Sequence, residues 1–325
     1  MGEDTGSSRD PQGAAQVTAS AVPVSFGAMF RRERPPEDLV GFARFVESAG
    51  FDELWIVEDC FWAGGLTAVV AALASTETIT VGMGIVAAVA RNAAITAMEL
   101  AGVERLFPGR FVAGIGHGVA PWMRQIGALP PSQLAALEET VDAVRRLLEG
   151  ERVTTAGRYV ELDDVALVFP PVVRPPIMVG VTGPGGIDVT ARVADGLLLP
   201  EGSSAAYVRA ALDRLGRGAR CSVYVLFSVD DDGDVARRAV QAAVEEFAPG
   251  PIDGRLAKLG VEERVDGPDR VQRFAVAGTP VECASSIDRL VDAGATSVVF
   301  IPAGVHHEPQ LMRAMADVVP LVGRF

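Results

Sequence analysis

Residues 79–118 read ITVGMGIVAAVARNAAITAMELAGVERLFPGRFVAGIGHG, and this stretch decides the fold. An apolar run at 79–86 closes on glycines, a segment of helical length and periodicity stops at Pro108-Gly109, and a second apolar run at 111–118 again closes on glycines. Short β-branched runs bounded by Gly fit buried strands, so the stretch predicts a strand, a helix and a second, parallel strand. Gly82, Gly84, Gly114, Gly116 and Gly118 then fall at the carboxyl ends of both strands. Ligands bind at that end of parallel sheets, and glycine lets a flat ring approach the backbone. The five together suggest a ligand floor; easier helix-on-strand packing is the alternative for any one of them.

The same alternation extends in both directions. Upstream lie a strand at 22–30, a helix at 37–49, a strand at 51–58 and a helix at 65–76. Asp59, Cys60, Phe61 and Trp62 follow the second strand's carboxyl end. Downstream come an amphipathic helix at 130–149 opened by Ser132 and a small hairpin turning at Ala156-Gly157. Strands follow at 177–181, 197–199, 221–229 and 297–302, with helices ending near 193 and spanning 205–215, 234–247, 279–293 and 309–319. The segment 248–275 has mixed polarity and reads as helix with loops. Eight strands alternating with helices predict an α/β fold, a closed (β/α)8 TIM barrel with a hairpin insertion between strands four and five. An open doubly wound sheet would leave the last three strands as a second unit, and no linker separates them. Residues 21–325 therefore form one barrel domain. Residues 1–20, rich in Gly, Ser, Asp and Gln, read as a disordered tail and lack the apolar segment of a secretory signal.

The 325 residues are 49% hydrophobic, enough for a large core, and no apolar run approaches the length of a membrane span. A net charge of −13 argues against a nucleic-acid partner, because phosphates would be repelled over most of the surface. Cys60, Cys221 and Cys283 are odd in number and lack metal-ligand spacing, which fits a reducing cytoplasm. Lys258 is the sole lysine, a bias that matches a GC-rich genome.

Residues 82–118, with ESAGFDELWIVED (47–59) before and VGVTGPGGIDVTARVADGLLL (179–199) after, resemble the luciferase-like flavin and deazaflavin oxidoreductases. The likeness covers roughly residues 22–319 and is strongest to the branch using the 8-hydroxy-5-deazaflavin coenzyme F-420, which includes methylenetetrahydromethanopterin reductases and glucose-6-phosphate dehydrogenases. It implies a bulge with a non-prolyl cis peptide at Gly84-Ile85, with Ile85 and Val86 backing the tricycle and Gly116 also in the coenzyme site. It also implies that Gly183, Pro184, Gly185 and Gly186 hold the coenzyme phosphate and that Val181 and Thr182 belong to the coenzyme site. A Gly-rich turn opening a helix gathers unpaired N–H donors at the positive end of the dipole, although a plain strand-to-helix turn has the same composition. The chain departs from the branch at three places. Arg91-Asn92-Ala93 stands for Arg-His-Pro, Asp59-Cys60 for the dehydrogenases' Asp-His, and Gly116-His117-Gly118-Val119 where they carry an acidic Glu.

A deazaflavin carries the hydride itself, so the protein must orient substrate and supply a proton. His117 is the first candidate, because imidazoles titrate near neutral pH and the residue falls at the mouth of strand four; a structural loop histidine is the alternative. Cys60 is read either as a weak acid against the cofactor or as an inert buried thiol. Asp59 either orients a pocket group or caps the next helix. Phe26, Trp62 and Trp122 are assigned to the substrate pocket, with core filling as the alternative for the tryptophans. His306-His307 lacks carboxylates at metal-ligand spacing, and Asp230 to Asp234 lacks the spacing of a calcium loop, so a solvated loop and a turn with a helix cap are expected and no metal. With these residues, the resemblance implies hydride transfer between coenzyme F-420 and a small, rather apolar organic substrate, in a homodimeric protein as is common in the family. The alternatives are an FMN-dependent luciferase-like monooxygenase and a non-catalytic flavin- or deazaflavin-binding barrel.

Overall fold

The computed structural model describes residues 24–216, 218–247, 250–263, 269–303 and 307–324. The expected tail at 1–20 and His306 lie outside them. Strands β1 (Ser25–Phe30), β2 (Glu53–Ile56), β3 (Thr80–Ala87) and β4 (Phe111–Gly116) pair in parallel in chain order. A hairpin of β5 (Val153–Ala156) and β6 (Glu161–Val165) then intervenes. The sheet resumes with β7 (Ile177–Gly180), β8 (Gly196–Leu199), β9 (Arg220–Val229) and β11 (Ser297–Pro302), and β11 pairs with β1. Eight parallel strands therefore close a barrel, with the insertion where the sequence placed it. A short β10 (Val276–Gly278), absent from the sequence-based expectation, flanks the far end of β9.

Helices α1 (Leu39–Ser48), α2 (Gly65–Ala74), α3 (Ala93–Leu106), the short α4 (Ala120–Gln125) and α5 (Gln133–Leu148) occupy the first half. The second half carries α6 (Pro184–Val193), α7 (Ala205–Leu215), α8 (Gly233–Phe247), α9 (Gly250–Lys258), α10 (Arg270–Phe274), α11 (Pro280–Asp292) and α12 (His307–Arg313). Local chemistry sets their starts. Ser132 accepts from the Ala135 N–H at the opening of α5, and Thr279 with Glu282 forms a reciprocal capping box on α11. Among residues 230–234, Asp230 and Asp232 accept from the N–H groups two residues on, which makes this run an Asx turn leading into α8.

The barrel interior explains two of the five glycines differently from a ligand floor. A Cβ on Gly82 would lie 2.5 Å from the Trp55 ring, which fills the interior edge-on to Tyr224 at 5.7 Å. A Cβ on Gly114 would lie 2.0 Å from the Met83 carbonyl oxygen. That carbonyl precedes a bulge. The β3–β4 register runs Met83 with Ala113 and then Val86 with Ile115, so Gly84 and Ile85 together oppose Gly114. Gly114 is therefore the residue that lets β3 bulge toward the mouth.

Candidate active site

At the carboxyl ends of the strands the barrel opens into a cavity of about 990 Å³. The β3 bulge forms part of its wall. The Gly84–Ile85 peptide is cis, as is Cys60–Phe61. Ile85 spreads across Gly116 and Gly180, where added Cβ atoms would each come within 2.8 Å of its side chain. The bulge and the two glycines thus set one apolar side chain against the opening. Gly116 lies beneath Ile85 without lining the cavity, and Val86 is fully buried behind it.

The catalytic candidates converge here. Asp59, Cys60 and His117 all line the cavity. The His117 Nδ1–H donates to the Gly118 carbonyl at 2.8 Å, so the neutral ring keeps Nε2 as an acceptor. Gly118 has φ +74°, a conformation that frees its backbone to turn α4 into the mouth. Arg32 holds Asp59 through Nη1 at 2.7 Å. Burial, then the Glu58 and Asp59 charges, push the Cys60 thiol up from its ordinary value, so it is a neutral thiol and not an activated thiolate at neutral pH.

The pocket aromatics divide. Trp122 lines the cavity, whereas Trp62 stands exposed outside it beneath the Arg32 guanidinium, 5.8 Å from the ring centroid. Phe26 is at the entry of β1, stacked on Phe300 in the core. The β1 residue that reaches the cavity is Met29, three positions further on. A strand climbs roughly 10 Å in that distance, enough to separate the barrel's floor from its mouth.

At β7, Val181 and Thr182 line the cavity and Tyr207 donates its hydroxyl to the Thr182 carbonyl at 2.7 Å. Gly183 is the N-cap of α6 and supplies no side-chain cap, and Pro184 begins the helix. Helix geometry leaves the Gly185 and Gly186 N–H groups without intrahelical acceptors. These four residues lie past the rim instead of in the cavity wall. A Cβ on Gly183 would meet nothing closer than Lys258 Cδ at 3.9 Å, so the sole lysine of the chain stands beside this helix start.

Three lining groups were not singled out from the sequence. Glu58 receives both Arg91 nitrogens, at 2.6 and 2.8 Å, and the Gly65 N–H, which ties β2, the loop after β3 and α2 together. Glu201 follows β8, and burial, which outweighs the nearby Arg255 and Arg32 charges, pushes its carboxyl up from the ordinary value. Tyr224, on β9, has a buried hydroxyl with no hydrogen-bond partner among the described residues. Leaving such a group unpaired costs about 1–3 kcal/mol. Burial, then Glu201, Glu53 and Asp59, hold its phenol well above the usual range. A tyrosine in an apolar strand reads as core, and a lone acid after a strand reads as loop, so neither carries a sequence signal.

Among the described residues no group of three or more His, Cys, Asp or Glu side chains is placed to hold a metal ion, and no helix is long and apolar enough to cross a membrane. An F-420-dependent glucose-6-phosphate dehydrogenase of Kineococcus radiotolerans is 28% identical over 338 residues, covering 94% of this chain and 99% of its own. A 5,10-methylenetetrahydromethanopterin reductase of Methanolobus tindarius is 25% identical over 305 residues, covering 85% and 93%. An F-420-dependent secondary alcohol dehydrogenase, solved with an F-420–acetone adduct, superposes with a TM-score of 0.78 at 21% identity over 92% of this chain and 99% of its own. The luciferase-like monooxygenase family model matches residues 17–297, and the chain belongs to that family.

Proposed function

We propose that this protein is an oxidoreductase that binds coenzyme F-420 at the barrel mouth and exchanges a hydride with a small organic substrate. One observation carries the assignment. The β3 bulge sets Ile85 across Gly116 and Gly180 beside a large cavity, on a chain whose curated relatives are F-420-dependent reductases and dehydrogenases. The residues fit such a coenzyme. The cavity is large enough for a tricycle, and the orphaned Tyr224 hydroxyl in its wall offers a donor. The α6 start offers free N–H groups and the Lys258 charge to a phosphate.

In this reading Gly84, Ile85, Val181 and Thr182 hold the ring end, while Gly183 to Gly186 with Lys258 hold the phosphate. When bound, the coenzyme supplies a hydride donor or acceptor at its C5 carbon. The protein excludes water with Met29, Trp122 and Met123, and keeps the mouth loops fixed through the Glu58–Arg91 and Asp59–Arg32 pairs.

The test is a fluorescence titration of purified protein with coenzyme F-420 and, in parallel, with FMN. Saturable binding of the deazaflavin alone is the expected result. Binding of FMN alone, with oxygen consumption on reduction, would establish the monooxygenase alternative, and binding of neither would remove the assignment.

A further inference from the structure

The barrel strands bring a carboxyl and a phenol to one wall of the cavity. Strands β8 and β9 pair in parallel with Leu199 opposite Val223, so Glu201, just past β8, and Tyr224, one residue on along β9, share the side between the sixth and seventh barrel strands. Both line the cavity, together with Gly84 of the bulge. The Tyr224 hydroxyl lies over Gly84, where a Cβ would be 1.9 Å from its oxygen. It is buried and unpartnered among the described residues, in a residue that lines the cavity. Burial and the Asp59 charge favour the neutral form of Glu201 against the pull of Arg255 and Arg32. The wall thus presents the Tyr224 hydroxyl and the Glu201 carboxyl, and the neighbouring Arg255 guanidinium is engaged behind it, donating to the Glu201 carbonyl oxygen at 2.9 Å. The lining arginines Arg31 and Arg32 are already paired with Glu33 and Asp59. An anionic group placed here would face carboxylates without a free counter-charge.

We propose that Glu201 and Tyr224 are the proton-donor pair of this cavity, and that the substrate presents an uncharged carbonyl oxygen to them. This rests on the F-420 assignment above. Hydride delivery from the reduced deazaflavin forms a C–H bond at the carbonyl carbon, and the C=O π pair moves onto oxygen. The Glu201 O–H bond breaks to protonate that oxygen while the Tyr224 hydroxyl donates a hydrogen bond to it. The carbonyl compound gains two electrons and two hydrogens. The coenzyme gives up the hydride and releases its second hydrogen as a proton, and solvent returns one proton to Glu201.

The experiment mixes reduced coenzyme F-420 and cyclohexanone with the wild type, Glu201→Gln and Tyr224→Phe, and oxidised coenzyme F-420 and glucose 6-phosphate with the wild type. Expected results are reoxidation of the coenzyme by cyclohexanone, none of the reverse change with glucose 6-phosphate, and a rate in Glu201→Gln lower by about a hundredfold. The dissociation constant for coenzyme F-420 should stay within about twofold of the wild type in that variant, since the carboxyl is assigned to the substrate oxygen. Two readouts on the coenzyme-free protein separate this role from a structural one. In infrared difference spectra of wild type against Glu201→Gln, a protonated carboxyl band should persist well above the ordinary Glu pKa of about 4.3. Tyr224→Phe should melt at the wild-type temperature or higher, because no partner is lost. Failure to reduce cyclohexanone, oxidation of glucose 6-phosphate, a Glu201→Gln rate within about threefold of wild type, or a carboxyl that ionises with ordinary glutamates would each overturn the proposal. A wild type that binds no F-420 removes the functional assignment itself, whereas one that binds it and turns over equally well without Glu201 removes only the proton-donor pair.

Discussion

Asp195 and Glu201 bracket the same strand, one just before β8 and one just after it, and the barrel treats their carboxyl groups in opposite ways. On the floor, Asp195 receives Arg174 Nη1 and Nη2 at 2.6 and 2.8 Å and the Ile177 N–H at 2.7 Å. Burial alone would raise this group, but the hydrogen bonds and charge of Arg174 hold it below the usual carboxylate range. At the mouth, burial dominates Glu201 and raises it. Part of the floor resembles Asp195, although burial raises Glu53 at the start of β2 against its Ser297 and Trp55 hydrogen bonds. Glu47 accepts from the Glu77, Thr78 and Ile79 N–H groups, and Arg110 donates to the Ile79 and Thr76 carbonyls and the Thr76 hydroxyl. These floor groups are saturated and stabilise the fold, whereas Glu104 Oε2 has no partner among the described residues. At the mouth, Tyr224 keeps unspent hydrogen-bonding capacity, which is what a ligand site requires.

The largest effect expected from this contrast is at the floor. Asp195→Ala removes the bidentate partner of Arg174 and the acceptor of the Ile177 N–H. Arg174 keeps Glu149 at 3.1 Å, so the loss should be about 2 kcal/mol and not the larger value of a fully isolated buried charge. Urea unfolding measures it, and a loss below about 0.5 kcal/mol would end the distinction between a structural floor and a functional mouth.

At the rim, Gly183→Val should weaken coenzyme F-420 about tenfold, or roughly 1.4 kcal/mol, with the melting temperature unchanged. Gly183 has φ −106° and ψ 162°, extended backbone open to any residue, and its Cβ position is free of close neighbours. An isopropyl group there would shield the α6 N–H groups without disturbing the protein. Unchanged affinity would return the turn to an ordinary strand-to-helix connection.

Much of this architecture was legible in the sequence because period and punctuation both spoke. The helix at 205–215 and the strand at 297–302 have the same bounds in the structure, and Ser132 opens its helix as its side chain suggests. What remained hidden was non-local or short. Val276–Gly278 is too brief to show a period, and residues 120–125 carry a proline that reads as loop. The glycines of β3 and β4 look alike in sequence, yet Gly82 makes room for Trp55, Gly114 for a carbonyl and Gly116 for Ile85. Only the neighbour across the sheet distinguishes them. The same holds for Glu201 and Tyr224, 23 positions apart and joined only through the β8–β9 pairing.

His117 tests whether the mouth divides its labour. With Nδ1–H held by the Gly118 carbonyl, its replacement by Ala should slow hydride transfer about fivefold at unchanged coenzyme affinity; a larger loss than Glu201→Gln would exchange the two roles.

The smallest effect is also the most direct measure of the contrast, because the two ends of β8 should bend the stability curve in opposite directions. Asp195 has a depressed native pKa, so its stabilisation is present above the unfolded value of about 3.9 and is lost as pH falls below it. Glu201 has a raised native pKa, so the native state binds its proton more tightly than the unfolded chain does. Stability then declines as pH rises from the unfolded value of about 4.3 toward the native one. Asp195→Asn should therefore flatten the acid limb alone, and Glu201→Gln the limb above it alone. If both variants flatten the same limb, the two carboxyls share one environment, and β8 does not separate a floor that stabilises from a mouth that reacts.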